Sequence, residues 1–404
     1  MESMEYIPRQ IEKCLFHTLE QFPAVVLTGP RRSGKTFLLR HCLAGATYVQ
    51  LEDPDTLLAV KSDPRGFLDS LTLPAVLDEI QQAPDLFAYV RSRIDAVPEK
   101  RGQWILTGSQ ESSLMRGVAE SMAGRAAILR LPPFSVRESS LVSPFSGGYP
   151  EALAAGPDAG LWFSSYVQTY LERDVRSVLG VRDLMAFHRF VRLLATRHGQ
   201  MLNKTALAAP LGLSVPTVSR WLDVLEMAGL VFLVPPYFRN AGKRLVKTPK
   251  LYLADSGLAC HLLGIRSASE LAASPFFGPI FEGFVVAEVA KAQTAAGLPP
   301  EVFYFRDEQG LEVDLLVSPS ANRLVLAECK AGATPTPSMA TPMRRLAAAL
   351  APDSPPPEMH LVHIPSPVAT LPPTVAPGVR RSSVADLLDA LFPVNAPDRN
   401  ASSP

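Results

Sequence analysis

An apolar segment that runs straight into a glycine-rich turn constrains this chain more than any other feature of its sequence. Residues 25–28 are Val-Val-Leu-Thr, and Gly29-Pro-Arg-Arg-Ser-Gly34-Lys-Thr follows directly. Glycines at this spacing let consecutive backbone N–H groups turn toward an anion, and a helix starting near Thr36 adds its positive N-terminal end. The segment therefore predicts a strand, a phosphate-binding loop (P-loop) and a helix, with a nucleoside triphosphate as the ligand.

The residues of this loop have different expected roles. Lys35 is expected to contact the phosphates and assist catalysis through its ammonium, and the Thr36 hydroxyl is expected to ligate Mg²⁺. Arg31 and Arg32 are expected beside phosphate or solvent rather than in catalysis. The remaining loop residues expected to contact the nucleotide are Gly29, Pro30, Ser33 and Gly34. ATP and Mg²⁺ are therefore the predicted cofactors.

Two further apolar segments end in polar residues. Residues 73–79 predict an apolar strand that ends in two carboxylates. They are Asp78, a predicted Mg²⁺ partner beside the loop hydroxyl, and Glu79, a predicted base for the attacking water. Residues 104–107 lead toward Ser109 and Gln110, either of which is a candidate for orienting the water or sensing the γ-phosphate. The three segments together predict an ATPase.

Several short motifs accompany these segments, at residues 6–9, 77–81, 122–125, 170–174 and 242–250. With the loop, they resemble the AAA+ ATPases, and among them a prokaryotic subgroup whose AAA domain is joined to a C-terminal domain of unknown function. The resemblance covers most of residues 5–332. It implies an arginine that completes the site from the same or a neighbouring subunit. Arg125 is the candidate for this finger or sensor, and a role in a neighbouring subunit would require a homo-oligomer.

The composition excludes some classes of protein. Lys plus Arg and Asp plus Glu number 39 each, so any contact with DNA must come from a local patch. The four cysteines have neither metal-ligand nor disulfide-framework spacing, which favours a reducing cytoplasm. The N-terminus lacks a basic and then apolar stretch, and no apolar run approaches the length of a membrane span. We therefore expect a cytoplasmic protein without a membrane segment.

Residues 203–234 have the pattern of a helix-turn-helix followed by a strand. The second helix is predicted over 215–228, and its expected buried face consists of Val218, Trp221, Leu222 and Leu225. The basic residues between 239 and 250 then resemble a wing. A winged helix can contact DNA phosphates, and docking of a protein or subunit is the alternative use of the fold.

A second candidate site lies near the C-terminus. Residues 311–317 and 323–330 predict a hairpin in which Glu328 and Lys330 share a face, and Asp314 on the adjacent strand can join them. Two carboxylates and a lysine suit Mg²⁺ and phosphodiester cleavage. The spacing resembles the restriction-endonuclease-like superfamily, in which Glu282 matches the helix acid. The resemblance implies a nuclease-like fold and leaves cleavage activity open.

The predicted fold class is α/β: an N-terminal P-loop AAA+ type parallel sheet with helices, a helical lid and winged helix, and a restriction-endonuclease-like α/β domain. The predicted boundaries are 1–145, 146–200, 201–255 and 256–392, with a disordered tail over 393–404. The predicted function is a Mg²⁺-dependent ATPase coupled to its C-terminal region. An ATP-gated metal-dependent DNA nuclease and a nucleotide-switched DNA- or protein-docking module with negligible turnover are the alternatives.

Overall fold

The computed structural model describes most of the chain, namely residues 6–108, 118, 120–171, 184–237, 247–350, 355–365 and 371–393. The candidate residue Ser109, most of the predicted basic wing and the predicted tail beyond residue 393 lie outside these ranges. Within these ranges, no helix is both long enough and apolar enough to span a lipid bilayer.

A five-stranded parallel sheet with flanking helices forms the first part of the chain. Its strands are β1 (Ala24–Thr28), β2 (Thr47–Gln50), β3 (Ala75–Asp78), β4 (Trp104–Thr107) and β5 (Ala126–Arg130), in the order β2-β3-β4-β1-β5. The helices are α1 (Glu12–Gln21), α2 (Lys35–Cys42), α3 (Pro54–Ser62), α4 (Pro64–Asp69) and α5 (Leu86–Ala96). The predicted α/β class with a P-loop type parallel sheet is confirmed.

Alternate residues of the central strands enter two different cores, as the two-residue period of a strand requires. Val26 and Leu106 pack on one face of the sheet, whereas Val25 and Ile105 pack on the other. Parallel strands covered on both faces must be apolar throughout, which explains their continuous apolar sequences. Because β1, β3 and β4 are parallel neighbours, their carboxyl ends meet at one edge, where the loop after β1 emerges.

Strand β3 ends one residue earlier than the sequence pattern predicts. Asp78 is its last residue, and Glu79 adopts the left-handed backbone conformation, with φ 57° and ψ 47°. This conformation cannot continue a strand. The expectation that both carboxylates end the strand is therefore wrong, and Glu79 begins a turn.

Helices and a small sheet form the middle of the chain. The helices are α6 (Pro150–Ala155), α7 (Ala159–Tyr166), α8 (Leu184–Ala195), α9 (Lys204–Ala208), α10 (Val215–Met227), α11 (Ser256–Leu262) and α12 (Ala268–Ala273). The strands β6 (Gln200–Met201), β7 (Val231–Val234) and β8 (Lys250–Leu253) form an antiparallel sheet in the order β6-β8-β7. The four residues predicted to form the buried face of α10 are all buried. The ring centre of Trp221 on this helix lies 5.3 Å from those of both Phe187 and Phe190 of α8.

A mixed six-stranded sheet forms the C-terminal part. Its strands are β9 (Phe303–Arg306), β10 (Glu312–Ser320), β11 (Arg323–Lys330), β12 (Glu358–His363), β13 (Thr374–Ala376) and β14 (Val379–Ser382), in the order β13-β14-β12-β11-β10-β9. Its helices are α13 (Phe277–Ala295), α14 (Thr341–Leu350) and α15 (Val384–Leu391). The predicted β10–β11 hairpin and the predicted helix carrying Glu282 are both confirmed.

Candidate functional site

The loop between β1 and α2 depends on its two glycines for its shape. Gly29 has φ 152°, and a Cβ there would lie 2.3 Å from the Leu131 carbonyl oxygen. Gly34 has φ 96° and directly precedes α2. Positive φ favours glycine because it carries no side chain to clash with its own backbone. The sequence pattern therefore produces a tight turn at the N-terminus of a helix, where an anion is favoured.

Lys35 reaches back across this loop. Its Nζ donates to the carbonyl oxygens of Gly29, at 3.1 Å, and Pro30, at 3.0 Å, and the side chain is buried. A buried ammonium held by two neutral carbonyls retains strong attraction for an anion. The geometry therefore suits Lys35 to exchange these contacts for phosphate oxygens.

Asp78 connects three strands and the loop at the carboxyl edge of the sheet. Its Oδ2 accepts a hydrogen bond of 2.9 Å from Thr36 Oγ1 and another from the Tyr48 hydroxyl. Its Oδ1 accepts from Thr107 Oγ1 at 3.2 Å, and the residue is only 2% exposed. Mg²⁺ prefers oxygen ligands, and here a hydroxyl and a carboxylate fixed by hydrogen bonds lie beside the backbone N–H groups of the loop. Thr36 and Asp78 therefore fit that ion.

The structure adds Tyr48 and Thr107, which the sequence analysis missed. Thr107 is the last residue of β4, the strand whose carboxyl end was predicted to be functional. The sequence analysis chose Ser109, two residues further on, instead of Thr107. Tyr48 lies on β2, and it meets Asp78 because β2 pairs with β3, with Gln50 opposite Asp78. No motif in the sequence identifies it.

Glu79 lies next to this group in a strained, half-buried position. A non-glycine residue in the left-handed conformation costs on the order of 1 kcal/mol and is frequent at functional sites. Burial raises the pKa of its carboxyl, whereas the nearby Lys35 lowers it. Gln81 Nε2 donates to Glu79 Oε2 and orients the carboxylate. A carboxylate in such an environment is suited to accept a proton.

The remaining loop side chains point to different partners. Arg32 has φ 63° and forms a 2.8 Å ion pair with Glu151 of α6. The positive charge of Arg31 acts on the Glu79 carboxyl and lowers its pKa, against the larger effect of burial. Ser33 is fully buried, and its Oγ has no hydrogen-bond partner among the residues described.

Arg125 is not brought to the loop of its own chain. It precedes β5 at the amino edge of the sheet, because its neighbour Ala126 pairs with Ala24, the first residue of β1. Its guanidinium binds both carboxylate oxygens of Asp95, at 2.5 and 3.0 Å. Its role as a finger acting on a neighbouring subunit stays a prediction.

Arg9 is a further contact of the loop that sequence reasoning did not assign. Its guanidinium donates to the carbonyls of Ser33, at 3.0 Å, and Pro132, at 2.6 Å, and it pairs with Glu138 at 3.1 Å. It also lies 4.5 Å from the centre of the Phe134 ring. This one buried side chain thus joins the loop to the segment that leaves β5.

The residues of the second candidate site are brought together. The β10–β11 register, with Leu315 opposite Ala327, continues to place Asp314 opposite Glu328 on one face. Lys330 Nζ lies 2.6 Å from Glu328 Oε1, whereas Glu328 Oε2 has no hydrogen-bond partner among the residues described. Burial and then Asp314 raise the pKa of Glu328 to about 8, and they raise that of Glu282 on α13 to about 7.

Lys250 of β8 completes this second cluster, and the sequence analysis missed it. Its Nζ lies 2.8 Å from Glu282 Oε1 and 2.6 Å from Glu312 Oε1, and the Tyr252 hydroxyl also donates to Glu282. Burial by itself lowers the pKa of Lys250, but the surrounding carboxylates more than offset this and raise it. In the part of the chain described, no three His, Cys, Asp or Glu side chains converge as a metal site.

Comparisons with known proteins agree with this architecture. A family model described as an AAA domain matches residues 21–140, and models described as domains of unknown function, DUF8612 and DUF4143, match residues 144–269 and 277–364. The uncharacterized protein Rv2008c of Mycobacterium tuberculosis is 35% identical over 338 residues, which is 82% of this chain and 75% of that protein. An uncharacterized protein of Haemophilus influenzae is 25% identical over 281 residues, 60% of this chain and 70% of that protein.

Solved structures give more distant similarities. The Walker-type ATPase PABY2304 of Pyrococcus abyssi has 18% sequence identity and a TM-score of 0.43, covering 64% of this chain and 97% of that chain. A variant of Thermotoga maritima RuvB has a TM-score of 0.28, also with 18% identity, covering 57% and 90% of the two chains. With the mycobacterial protein as a relative over most of its length, this chain belongs to the family of P-loop AAA-type ATPases that carry a C-terminal DUF4143 domain.

Proposed function

We propose that this protein binds Mg²⁺·ATP at the loop of residues 29–36 and hydrolyses the nucleotide. The observation that carries the proposal is the 2.9 Å hydrogen bond between Thr36 Oγ1 and Asp78 Oδ2, which joins the loop to the end of β3. It sets a hydroxyl and a buried carboxylate beside a turn of backbone N–H groups. The Thr36 hydroxyl and the Asp78 carboxylate would hold Mg²⁺ there, and the ion would supply positive charge to offset that of the phosphates.

The other residues of the site supply the protein's part of the reaction. The loop N–H groups and Lys35 bind the phosphates, and Glu79 accepts a proton from the attacking water. The water oxygen bonds to the γ-phosphorus while the bond to the β–γ bridging oxygen breaks, and ADP leaves with that electron pair. The burial that raises the pKa of Glu79 makes it a better base than an exposed carboxylate.

Contacts of Arg9 support coupling between this site and the rest of the molecule. Because Arg9 binds the Ser33 carbonyl within the loop, a rearrangement of the loop on phosphate binding displaces its guanidinium. The same guanidinium binds Pro132 and Glu138, so the displacement reaches the segment of residues 132–138. That segment connects the parallel sheet to the middle of the chain.

The far side of this segment is held by the C-terminal part. Lys291 Nζ of α13 donates to the Phe134 carbonyl at 2.8 Å, and Glu288 Oε2 accepts from the Val136 N–H at 2.8 Å. One segment is therefore bound by an arginine that touches the loop and by a helix that carries Glu282. We propose that ATP binding or hydrolysis acts on the middle and C-terminal parts through this segment.

The helix pair α9–α10, followed by β7 and β8, supports a winged-helix role for the middle part. Ser214 caps the second helix by accepting from the Thr217 N–H at 3.2 Å. Lys247 and the predicted wing residues Lys243 and Arg244 precede β8 in sequence and would serve contact with phosphates. We propose duplex DNA as the partner of this part, with docking of a protein as the alternative.

Phosphate release by the purified full-length protein tests the proposal. We expect Lys35→Ala to abolish ATP binding and release, and Glu79→Gln to bind ATP while lowering kcat about 100-fold or more. Lys61→Ala, which removes an exposed lysine of α3, is the matched control and should behave as wild type. Duplex DNA added to the wild type should change the rate, and this effect should weaken with salt.

Two results would contradict parts of the proposal. Equal rates for the wild type and Lys35→Ala, with no ATP binding by either, would end the ATPase assignment. Tight ATP binding with a negligible rate that Glu79→Gln leaves unchanged would instead favour the nucleotide-switched docking module. A DNA effect that persists when Lys243, Arg244 and Lys247 are neutralised would place DNA contact elsewhere.

A further inference from the structure

Lys250 contacts part of the carboxylate cluster that resembles a nuclease site. Its ammonium contacts Glu282 Oε1 and Glu312 Oε1, at 2.8 and 2.6 Å, and lies 3.9 Å from Asp314 Oδ1. The lysine side chain is only 3% exposed. The charge therefore interacts with the acids with little screening by water.

The arrangement of the acids explains why a cation is needed there. Asp314 and Glu328 lie directly opposite each other on neighbouring strands, and like charges in such a pair repel. Glu282 approaches the same face from α13, and Glu328 retains one buried carboxylate oxygen without a hydrogen-bond partner among the residues described. Lys330 offsets the charge of Glu328, with Nζ at 2.6 Å from Oε1, and Lys250 offsets the charge of Glu282 and its neighbours on β10.

A divalent cation and Lys250 compete for the same oxygens. Mg²⁺ needs oxygen ligands at about 2.0–2.1 Å in octahedral geometry, so it would have to take the space that the ammonium now fills. Carboxylate oxygens of the cluster also accept hydrogen bonds from other groups. Asp314 Oδ2 accepts from the Cys329 N–H at 2.9 Å, and Glu282 Oε1 accepts from the Tyr252 hydroxyl. Three acids, Glu282, Glu312 and Asp314, therefore face Lys250 Nζ. The fourth, Glu328, is paired with Lys330 Nζ at 2.6 Å.

The elements involved show what the contact connects. Lys250 belongs to β8 of the small sheet in the middle of the chain, whereas Glu282 lies on α13 and Glu312 and Asp314 on β10. We propose that Lys250 is the resident cation of this cluster and excludes a divalent metal from it. The cluster then works as an ion-pair joint between the middle and C-terminal parts, and not as a metal-dependent phosphodiesterase site.

Manganese binding to the full-length protein tests this proposal. Free Mn²⁺ is measured by its paramagnetic resonance signal without nucleotide, in an Asp78→Asn background that weakens binding at the loop. We expect no Mn²⁺ site with Lys250 present. Lys250→Met should gain one Mn²⁺ site per chain, at least tenfold tighter than any residual binding by the protein that retains Lys250, and adding Asp314→Asn should remove this site. Lys100→Met, which removes an exposed lysine, should gain nothing.

Several outcomes would overturn the proposal. One is a Mn²⁺ site in the protein that retains Lys250 and is lost on Asp314→Asn. Another is a folded Lys250→Met protein that gains no site. If Lys250→Met does not fold, as judged by circular dichroism, the protein that retains Lys250 decides by itself. Mn²⁺-dependent nicking of supercoiled DNA by wild type, absent in Asp314→Asn, would also overturn the proposal. It would show that the cluster is a metal-dependent nuclease site.

Discussion

At the scale of single residues, the hydrogen bond from Tyr48 has the clearest consequence for chemistry. Its hydroxyl donates to Asp78 Oδ2, the same oxygen that accepts from Thr36, and the Arg40 guanidinium lies 4.6 Å from the centre of its ring. Groups that orient a metal ligand commonly change metal affinity 10–100-fold when removed. Tyr48 is therefore a positioning residue for the proposed Mg²⁺ site.

Tyr48→Phe removes this hydroxyl and keeps the ring. We expect the Mg²⁺ concentration that gives half-maximal ATPase rate to rise about tenfold, while ATP affinity without metal stays unchanged. Mn²⁺, which binds such sites more tightly than Mg²⁺, should restore much of the rate. Tyr89→Phe alters another half-buried tyrosine of the same sheet unit and should leave the metal dependence as it is. A metal dependence equal to wild type in Tyr48→Phe would show that the hydroxyl is only structural.

At the scale of elements, α13 is the helix on which the C-terminal part depends. It is buried along most of its length and carries Glu288, which is 0% exposed and pairs with Lys291 at 2.7 Å. Both residues also bind the backbone of the segment of residues 132–138. A buried ion pair is stable only while both partners remain, because an unpaired charge away from water is costly.

Glu288→Gln keeps the shape of the side chain and removes its charge. We expect the free energy of unfolding to fall by about 3 kcal/mol, since buried Lys291 loses the carboxylate with which it forms its 2.7 Å ion pair. Urea denaturation followed by circular dichroism measures this loss. Glu301→Gln, at an exposed position beyond the same helix, should change stability by less than about 0.5 kcal/mol. Equal urea midpoints for wild type and Glu288→Gln would contradict the assigned role of the pair.

At the scale of the whole molecule, His198 lies where the middle part meets α13. Its Nδ1 accepts from the Leu253 N–H at 3.1 Å, and a Cβ on Gly283 of α13 would lie 2.0 Å from its Nε2. Nε2 has no hydrogen-bond partner in the described part of the chain. Complete burial lowers the pKa of this imidazole to about 4. The folded protein therefore holds His198 neutral at a junction where a positive charge would be unsolvated.

This shift predicts a loss of stability in acid. The unfolded chain takes up a proton at His198 near pH 6.5, whereas the folded chain does so only near pH 4. The stability that the neutral ring contributes is complete above pH 6.5 and is lost as the pH falls toward 4, by up to about 3 kcal/mol. Glu282 and Glu328 have raised pKa values and act in the opposite direction, so a variant is needed to isolate the histidine.

His198→Asn retains an acceptor for Leu253 and cannot take up a proton. We expect the wild-type advantage in melting temperature over this variant to shrink steadily as the pH is lowered from 6.5 to 4.5. His17→Gln, at an exposed position, should show a constant difference over the same range. A wild-type advantage over His198→Asn that does not vary with pH would mean that the pKa of His198 is the same in the folded and unfolded chain.

Local patterns in the sequence were sufficient for the phosphate-binding loop, the strand and helix on either side of it, and the buried face of α10. Each depends on neighbouring residues: glycine spacing sets a turn, and apolar periodicity sets which face is buried. The hairpin that pairs Asp314 with Glu328 follows from the same two-residue period. These features could be predicted because the residues that cause them are close in the chain.

Tertiary structure alone decided which distant side chains meet. Tyr48 reaches Asp78 only because β2 pairs with β3, and Arg9 reaches Ser33 and Pro132 only once α1 and β5 are packed around the loop. Lys250 enters the carboxylate cluster from a different sheet, 32 residues before Glu282 in the chain. No periodicity or motif encodes such contacts, since they depend on how separately formed elements pack. The phosphate-binding loop could therefore be predicted from the sequence. The contacts of Tyr48 and Arg9 around it, and the place of Lys250 in the second cluster, could not.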